Sequence, residues 1–404
     1  DGGYVQHSTN YARLALELGL WGVRLAAVCD EPLAGASQTR LRGMAALLSG
    51  LADPSNGRVP MLGPQDGSQL LPLSACPFGD YRPTLRAAMA MLGGMPHTEA
   101  GSQDELSHWL GADPAGQPGP RNPAGTSYPV AGLYCLRQNR ARGVLRVVRF
   151  RGRPGHADQL HLDLWRRGRN PALDPGTYLY NGEPPWRNAL SSALVHNTLC
   201  FDGAEPMKRA GRFLWLDWSE ANVESRSRSA DGDLEAIVAI HRGHWDGDLA
   251  HRRVVVRIGE DLWMVVDDAL GKGRHRLTLP WLLPDGQWSL EGDRLEVAWA
   301  WATVGLKVTG EGPAHSLYRG GALVAGPPAA AAIPQWGWRA PTYAVREPAL
   351  HWVTELVAAL PARLKTWWAF DGADPSGVKL SWSEDGSGLP RLSAVRWRDH
   401  ELEL

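Results

Sequence analysis

The sequence predicts an α+β multidomain protein: a short helical segment, then a large antiparallel β-sandwich. Three observations predict it. Apolar residues recur at helical spacing up to about residue 112, a Gly/Pro-rich stretch follows, and the remaining two-thirds alternates with a period of two. The expected division is a helical part over 1–112, a linker over 113–128 and a sandwich over 129–404.

Leu14, Leu18, Trp21, Leu25 and Val28 share one helical spacing, as do Leu41, Met44, Leu48 and Leu51. Tyr81-Arg82-Pro83 opens a third segment through Leu85, Met89 and Leu92. Ser102 and Glu105 form a capping-box pattern ahead of Leu106, Trp109 and Leu110. Three or four such helices are too few to bury one another, so apolar faces are expected to be left uncovered. In the sandwich, Leu160, Leu162 and Leu164 alternate with His161, Asp163 and Trp165. Val254, Val256 and Ile258 alternate with Arg253, Val255 and Arg257, and Leu295, Val297, Trp299 and Trp301 alternate with Glu296, Ala298 and Ala300.

Length and charge bound the function. A chain of 404 residues accommodates two or three domains. Lys plus Arg number 42 against 43 Asp plus Glu, which argues against nucleic acid and anionic membranes as partners. Any acidic substrate must be met by local cations. No stretch is long and apolar enough to span a bilayer. Cys29, Cys76, Cys135 and Cys200 form no CxxC pair, so neither a disulfide framework nor a thiolate zinc knot is signalled. The chain opens on Asp1 with no signal peptide visible and reads as beginning within a domain. The 19 Trp against 5 Phe fit either a sandwich core or flat platforms for sugar rings, with Trp186 beside Arg187 the better platform candidate.

Two segments carry candidate chemistry. Asp1 to Tyr11 sets Tyr4, Gln6, His7, Asn10 and Tyr11 at a helix mouth, where free N–H groups suit an anion. Its plain alternative is a polar cap on Ser8 or Thr9. The second runs through Pro154-Gly155-His156-Ala157-Asp158, Leu173-Asp174-Pro175-Gly176 and His196-Asn197-Thr198. Two His and one Asp offer an N/N/O set for zinc. They read equally as hydrogen-bonded strand histidines and a turn aspartate.

Together these segments resemble the heparinase II/III and alginate lyase type of polysaccharide lyase. The resemblance rests on the His-Ala-Asp strand, the Asp-Pro-Gly turn, the His-Asn-Thr strand ending at Asp202-Gly203, and the segment Gly211–Trp218. Asp1–Tyr11, Asp66-Gly67-Ser68 and Asp80-Tyr81-Arg82-Pro83 match the family's helical region. It implies that the helices are the C-terminal part of an (α/α) toroid, completed by an upstream region or another chain. It further implies Tyr11 as catalytic tyrosine, Tyr180 or else Tyr178 as a second tyrosine, and His156, Asp174 and His196 as ligands of a structural zinc. The substrate it implies is an acidic, uronate-containing polysaccharide, and the compartment periplasmic or secreted.

Elimination across a uronate removes a poorly acidic C5 proton and protonates the leaving O4, while the carboxylate needs neutralising donors. Tyr11 can serve as acid and base where nearby charge lowers its pKa. His7 is a catalytic candidate beside it. Gln6, Trp186 and Arg187 are candidate substrate contacts, although Arg187 also fits a solvated surface position. The sequence departs from the family at Ala12 and Pro154, where relatives carry His, and the toroid Asn lies outside it. Those departures favour a second reading, a non-catalytic carbohydrate-binding or exopolysaccharide-biosynthesis protein. A hydrolase is not supported by the resemblance.

Overall fold

Ser8 opens the first helix, α1 (Thr9–Val28): its side chain accepts the Tyr11 backbone N–H at 3.0 Å and satisfies a free donor of the first turn. α2 (Gly35–Leu51), α3 (Arg82–Leu92) and α4 (Glu105–Trp109) follow in a computed structural model that describes residues 1–93, 101–114, 127–245 and 248–404. Most of the expected 113–128 linker lies outside the described residues. Its last two residues, Ser127–Tyr128, already form a strand paired with Tyr134 and Leu133.

The first helix buries a different face from the one its apolar spacing marks. Ala12, Leu16 and Leu20 turn inward together with Arg13 and Glu17. Arg13 lies 4.3 Å from the ring centre of Phe78 and 4.4 Å from that of Tyr81. Glu17 accepts the Thr84 hydroxyl at 2.7 Å and the backbone N–H of Leu70 at 2.8 Å. These buried charges are hydrogen-bonded, which makes their burial tolerable. Leu18, Trp21, Leu25 and Val28 instead stand 46–66% exposed as one stripe. The cap of α4 also differs from the Ser102–Glu105 pattern. Asp104 accepts the Gly101 backbone N–H at 2.9 Å, while Glu105 reaches the backbone N–H of Ala75.

From Ser127 onward every sheet of the described chain is antiparallel, and the stretch between Ala172 and Glu220 is mostly loop. A five-stranded sheet (residues 127–172) and a six-stranded one built on Arg274–Pro284 and Val345–Ala359 lie on one side of the main core. An eight-stranded sheet, with Ala250–Ile258 and Leu262–Leu270 near its centre, lies on the other. A three-stranded C-terminal sheet packs on the outer face of that larger sheet through Leu392, Val395 and Leu402. This explains why Ala250–Ile258 is buried along its whole length and not on alternate residues.

Six Trp, among them Trp263, Trp281, Trp352 and Trp368, are fully buried, so the Trp excess serves chiefly as core. Truncating one to Ala costs about 3–5 kcal/mol in comparable cores. Trp299 and Trp301 stack face to face at 4.6 Å and are only partly covered.

The sandwich core also holds charge. Arg253 donates to Asp267 at 2.6 Å and to the Leu160 carbonyl at 2.6 Å, and His251 meets the same carboxylate at 2.7 Å. This ties the large sheet to the loop that precedes Leu162–Arg166, and so to the site described next.

Candidate metal centre and tyrosine pair

His156, Asp174 and His196 come from three separate loops, and one ligand atom of each lies within 4.8 Å of the others. All three are buried. Each is placed by a local device. A Cβ at Gly155 would sit 2.6 Å from Pro64, so glycine lets the loop before His156 close against the helical segment. Asp174 accepts the Gly176 N–H through Oδ1 at 2.8 Å, closing the Asp-Pro-Gly turn. Gly176 has φ +74°, and a Cβ there would lie 2.3 Å from the Ala340 carbonyl oxygen. The turn reading and the ligand reading of Asp174 therefore hold together: one oxygen makes the turn, and the other faces the histidines.

Hydrogen bonds decide which histidines can ligate. His196 meets the Ser192 carbonyl through Nδ1 at 2.7 Å, so that nitrogen carries the proton. Its Nε2 lone pair then points 3.6 Å from Asp174 Oδ2. His161 is the reverse. Its Nδ1 accepts the Asn197 N–H at 3.0 Å, so Nε2 carries the proton and faces Asp174 Oδ2 at 3.8 Å. His161 thus turns an N–H, without a hydrogen bond at this distance, toward the carboxylate and leaves the ligand role to His156 and His196. Both nitrogens of His156, Nε2 of His196 and Oδ2 of Asp174 are buried with no hydrogen-bond partner.

Burial pushes the Asp174 carboxyl up to about 7, and burial with the neighbouring His196 pushes His156 down to about 3. A buried cluster of unpaired acceptors disfavours its own charge, and a divalent cation among them reverses that penalty. Two imidazoles and a carboxylate fit such an ion.

The His-Asn-Thr run supplies the surrounding scaffold. The Asn197 amide donates to the carbonyls of Leu162 (2.9 Å) and Leu173 (3.0 Å) and accepts the Leu282 N–H at 2.7 Å. Thr198 donates to the Gln159 carbonyl at 2.7 Å. The buried Arg146–Asp158 pair, at 2.6 Å, lies alongside. The sequence reading missed the roles of His161 and Asn197; their place within the same two motifs was the available signal.

Tyr11, in the first turn of α1, brings its hydroxyl 3.0 Å from that of Tyr180, across the junction of helices and sandwich. The Tyr180 ring packs edge-on to Phe213 at 5.0 Å, and its backbone N–H donates to the Tyr343 hydroxyl at 3.1 Å. Burial pushes Tyr11 up to about 12; the Tyr180 hydrogen bond works against that rise, and Asp66 adds to it. Tyr180 is pushed higher still, by burial and by Tyr11. Among the described residues the influences on Tyr11 are burial, Tyr180, Asp66 and Tyr343, with no cation in the set.

The other candidates separate. His7 packs edge-on to Phe150 at 5.4 Å, and burial, then Arg146, lowers it to about 4. None of these contacts is shared with the tyrosine pair. Gln6 is half-buried in the turn before α1, its carbonyl against Gly155. Trp186 is half-buried and edge-on to Tyr178 and Trp338, a packed ring more than an open platform. Arg187 is exposed beside Leu179. Arg153 and Arg212, also exposed, sit over Phe213 at 5.9 and 5.4 Å. Among the described residues Arg153, Arg187 and Arg212 pair with no carboxylate.

Comparison with known proteins matches this architecture. A heparin-sulfate lyase of Bacteroides stercoris is 25% identical over 129 residues, covering 31% of this chain and 17% of that one. A heparinase III gene product shares the fold with a TM-score of 0.71 at 15% identity, over 98% of this chain and 57% of that one. The heparan sulfate lyase HepC of Pedobacter heparinus does so at 0.66 and 16%, over 96% and 55%. The chain therefore spans somewhat more than half the length of these solved structures. The model of the heparinase II/III-like C-terminal family matches residues 120–350, the span that holds His156, Asp174, His196 and Tyr180, and the chain belongs to that family.

Proposed function

We propose that this chain is the C-terminal part of a polysaccharide lyase that cleaves a uronate-containing glycosaminoglycan by β-elimination. One observation carries the reading: two tyrosine hydroxyls 3.0 Å apart at the helix–sandwich junction, beside arginines that pair with no carboxylate among the described residues. Arg153, Arg187 and Arg212 supply local positive charge on a chain with a net charge near zero, as an acidic polymer requires. The lyase names of the relatives agree in substrate class.

In this reading Tyr11 is the acid that protonates O4, a role its raised pKa serves directly. It also takes the C5 proton once ionised, and Tyr180 is the donor that stabilises its phenolate. The 3.0 Å contact lets either hydroxyl donate, and this reading gives the donor role to Tyr180 because Tyr11 stands on the helix. His156, Asp174 and His196 would hold a structural zinc, which fixes the loops around Tyr180 without entering the chemistry. The four helices are then the C-terminal part of a toroid, and the Leu18–Trp21–Leu25–Val28 stripe packs against the helices that complete it. A periplasmic or secreted location accompanies such a substrate.

The second reading, a carbohydrate binder without catalysis, is favoured by Pro154 and Ala12, positions where the family resemblance implies histidine. Assay of the chain joined to its complementary helices decides between them. Heparan sulfate should yield products with the ultraviolet absorbance of an unsaturated uronate. Binding with no such product establishes the second reading, and reducing ends without that absorbance would mean hydrolysis.

A further inference from the structure

Arg346 stands at the start of the strand Val345–Ala359, just past Tyr343. The Ala344 N–H donates to the Tyr178 carbonyl at 2.8 Å, so this turn is stitched to the segment carrying Tyr178 and Tyr180. The guanidinium carbon lies 4.2 Å from the ring centre of Trp186, 4.4 Å from that of Trp338 and 5.2 Å from that of Tyr178. Trp186 meets Tyr178 at 85° and Trp338 at 89°, so the three rings form the walls of a cage.

Ring faces attract a guanidinium as a cation, but they do not use its N–H donors, which lie in its own plane. Among the described residues those donors have no partner: no carboxylate lies within ion-pair reach, and the adjacent Glu347 is held by Arg339 at 2.7 Å. The position is half-buried, and its nitrogens still reach solvent, where a bound oxyanion could meet them. A planar fork fixed by aromatic walls is pre-organised for an oxyanion, because little side-chain freedom is left to lose on binding. Core packing alone would not need a cation among three aromatic rings.

We propose that Arg346 and its cage of Trp186, Trp338 and Tyr178 form a subsite for an anionic substituent, carboxylate or sulfate, on a sugar neighbouring the one at Tyr11 and Tyr180. The subsite rests on the acidic-polysaccharide reading above. Its position in the chain supports the placement: Tyr178, one wall of the cage, is two residues from Tyr180, a Cα separation of at most about 7 Å, on the scale of one step along a sugar chain.

The test is isothermal titration of the chain joined to its complementary helices, wild type, Arg346→Lys and Arg346→Gln, with two probes: a heparin-derived hexasaccharide, and the same hexasaccharide desulfated and N-acetylated. Loss of a charge-assisted, two-pronged contact should weaken binding about tenfold or more in Arg346→Gln. Arg346→Lys, which keeps the charge without the fork, should recover only part. A loss confined to the sulfated probe assigns the subsite to sulfate, and an equal loss on both assigns it to carboxylate. Near-ultraviolet circular dichroism reports the Trp cage; if Arg346→Gln disturbs it, Arg346→Lys alone decides. Unchanged affinity of both probes for the deciding variant overturns the subsite while the wider reading stands. Failure of the wild-type chain to bind either probe overturns that reading and the subsite with it.

Discussion

The Nδ1 of His161 accepts the backbone N–H of Asn197 at 3.0 Å, and this one contact fixes the tautomer of a histidine that faces the candidate metal centre. With its proton on Nε2, His161 faces Asp174 Oδ2 at 3.8 Å, too far for a hydrogen bond, and presents no lone pair to an ion. His161→Gln should therefore weaken zinc binding about 10–100-fold, the range for partners that orient a ligand, without abolishing it. His196→Ala should abolish it. Competition against a chromophoric chelator separates the two, and equal loss in both would make His161 a ligand after all.

Asp174 serves the Gly176 turn and the metal centre at once, so its two roles can be pulled apart. Asp174→Asn keeps the turn acceptor but gives up the charge that a cation needs. Adding EDTA should lower the melting temperature of the wild type and leave that of Asp174→Asn unmoved, because bound metal contributes folding free energy only where it binds. A wild type indifferent to EDTA would show that no metal stabilises the fold.

Much of this was legible in the sequence, and the boundary is physical. The helices and the strands follow from local patterns, whereas the convergence of His156, Asp174 and His196 was implied by the family resemblance, because spacing alone left each of them a plain strand or turn reading. Leu18, Trp21, Leu25 and Val28 stand uncovered, as expected of so few helices, but the burial of Arg13 and Glu17 on another face of α1 had no signal in the apolar spacing. Arg13 and Glu17 are buried because partners distant in sequence, Phe78, Tyr81 and Thr84, satisfy them. His7 was placed with Tyr11 by proximity in sequence. The left-handed backbone at His7, φ 53°, turns its ring to Phe150 instead. Arg346 escaped notice because its cage is assembled from Tyr178, Trp186 and Trp338, which no spacing rule connects.

The buried Arg253–Asp267–His251 group links the large sheet to the metal loops through the Leu160 carbonyl. Burial raises the Asp267 pKa, but Arg253 and His251 overcome that and hold it below the usual carboxylate value. Its contribution to stability is then present above the unfolded carboxylate pKa of about 3.9, and is lost as the pH falls through the lower folded value. Arg253→Met leaves a buried carboxylate short of its main partner and should cost about 3–5 kcal/mol at neutral pH. Urea unfolding measures it, and a cost below about 1 kcal/mol would show that His251 alone suffices.

The exposed stripe on α1 gives a prediction in which stability and assembly part company. Leu25 is 48% exposed, so Leu25→Glu should change the stability of this chain by no more than about 0.5 kcal/mol. If complementary helices cover the stripe, the same change should sharply reduce their association in a pull-down, because a charge would be buried against apolar partners. Undiminished association would place the contact elsewhere.

The tyrosine pair yields the most direct test of mechanism. Tyr11→Phe removes the acid and should cut elimination by about 10²–10⁴-fold while the affinity for a heparan sulfate oligosaccharide holds. Tyr180→Phe removes a donor that lowers the Tyr11 pKa, which stands at about 12 in the free chain. If the rate rises with pH as Tyr11 ionises, deleting that donor raises the pKa and moves the ascending limb of kcat to higher pH. The activity of Tyr180→Phe should thus be recovered in part by raising the pH, and that of Tyr11→Phe should not. The pH profiles of both variants, measured on the chain joined to its complementary helices, check this. Parallel profiles that differ only in height would mean that Tyr180 positions the substrate and leaves the ionisation of Tyr11 untouched.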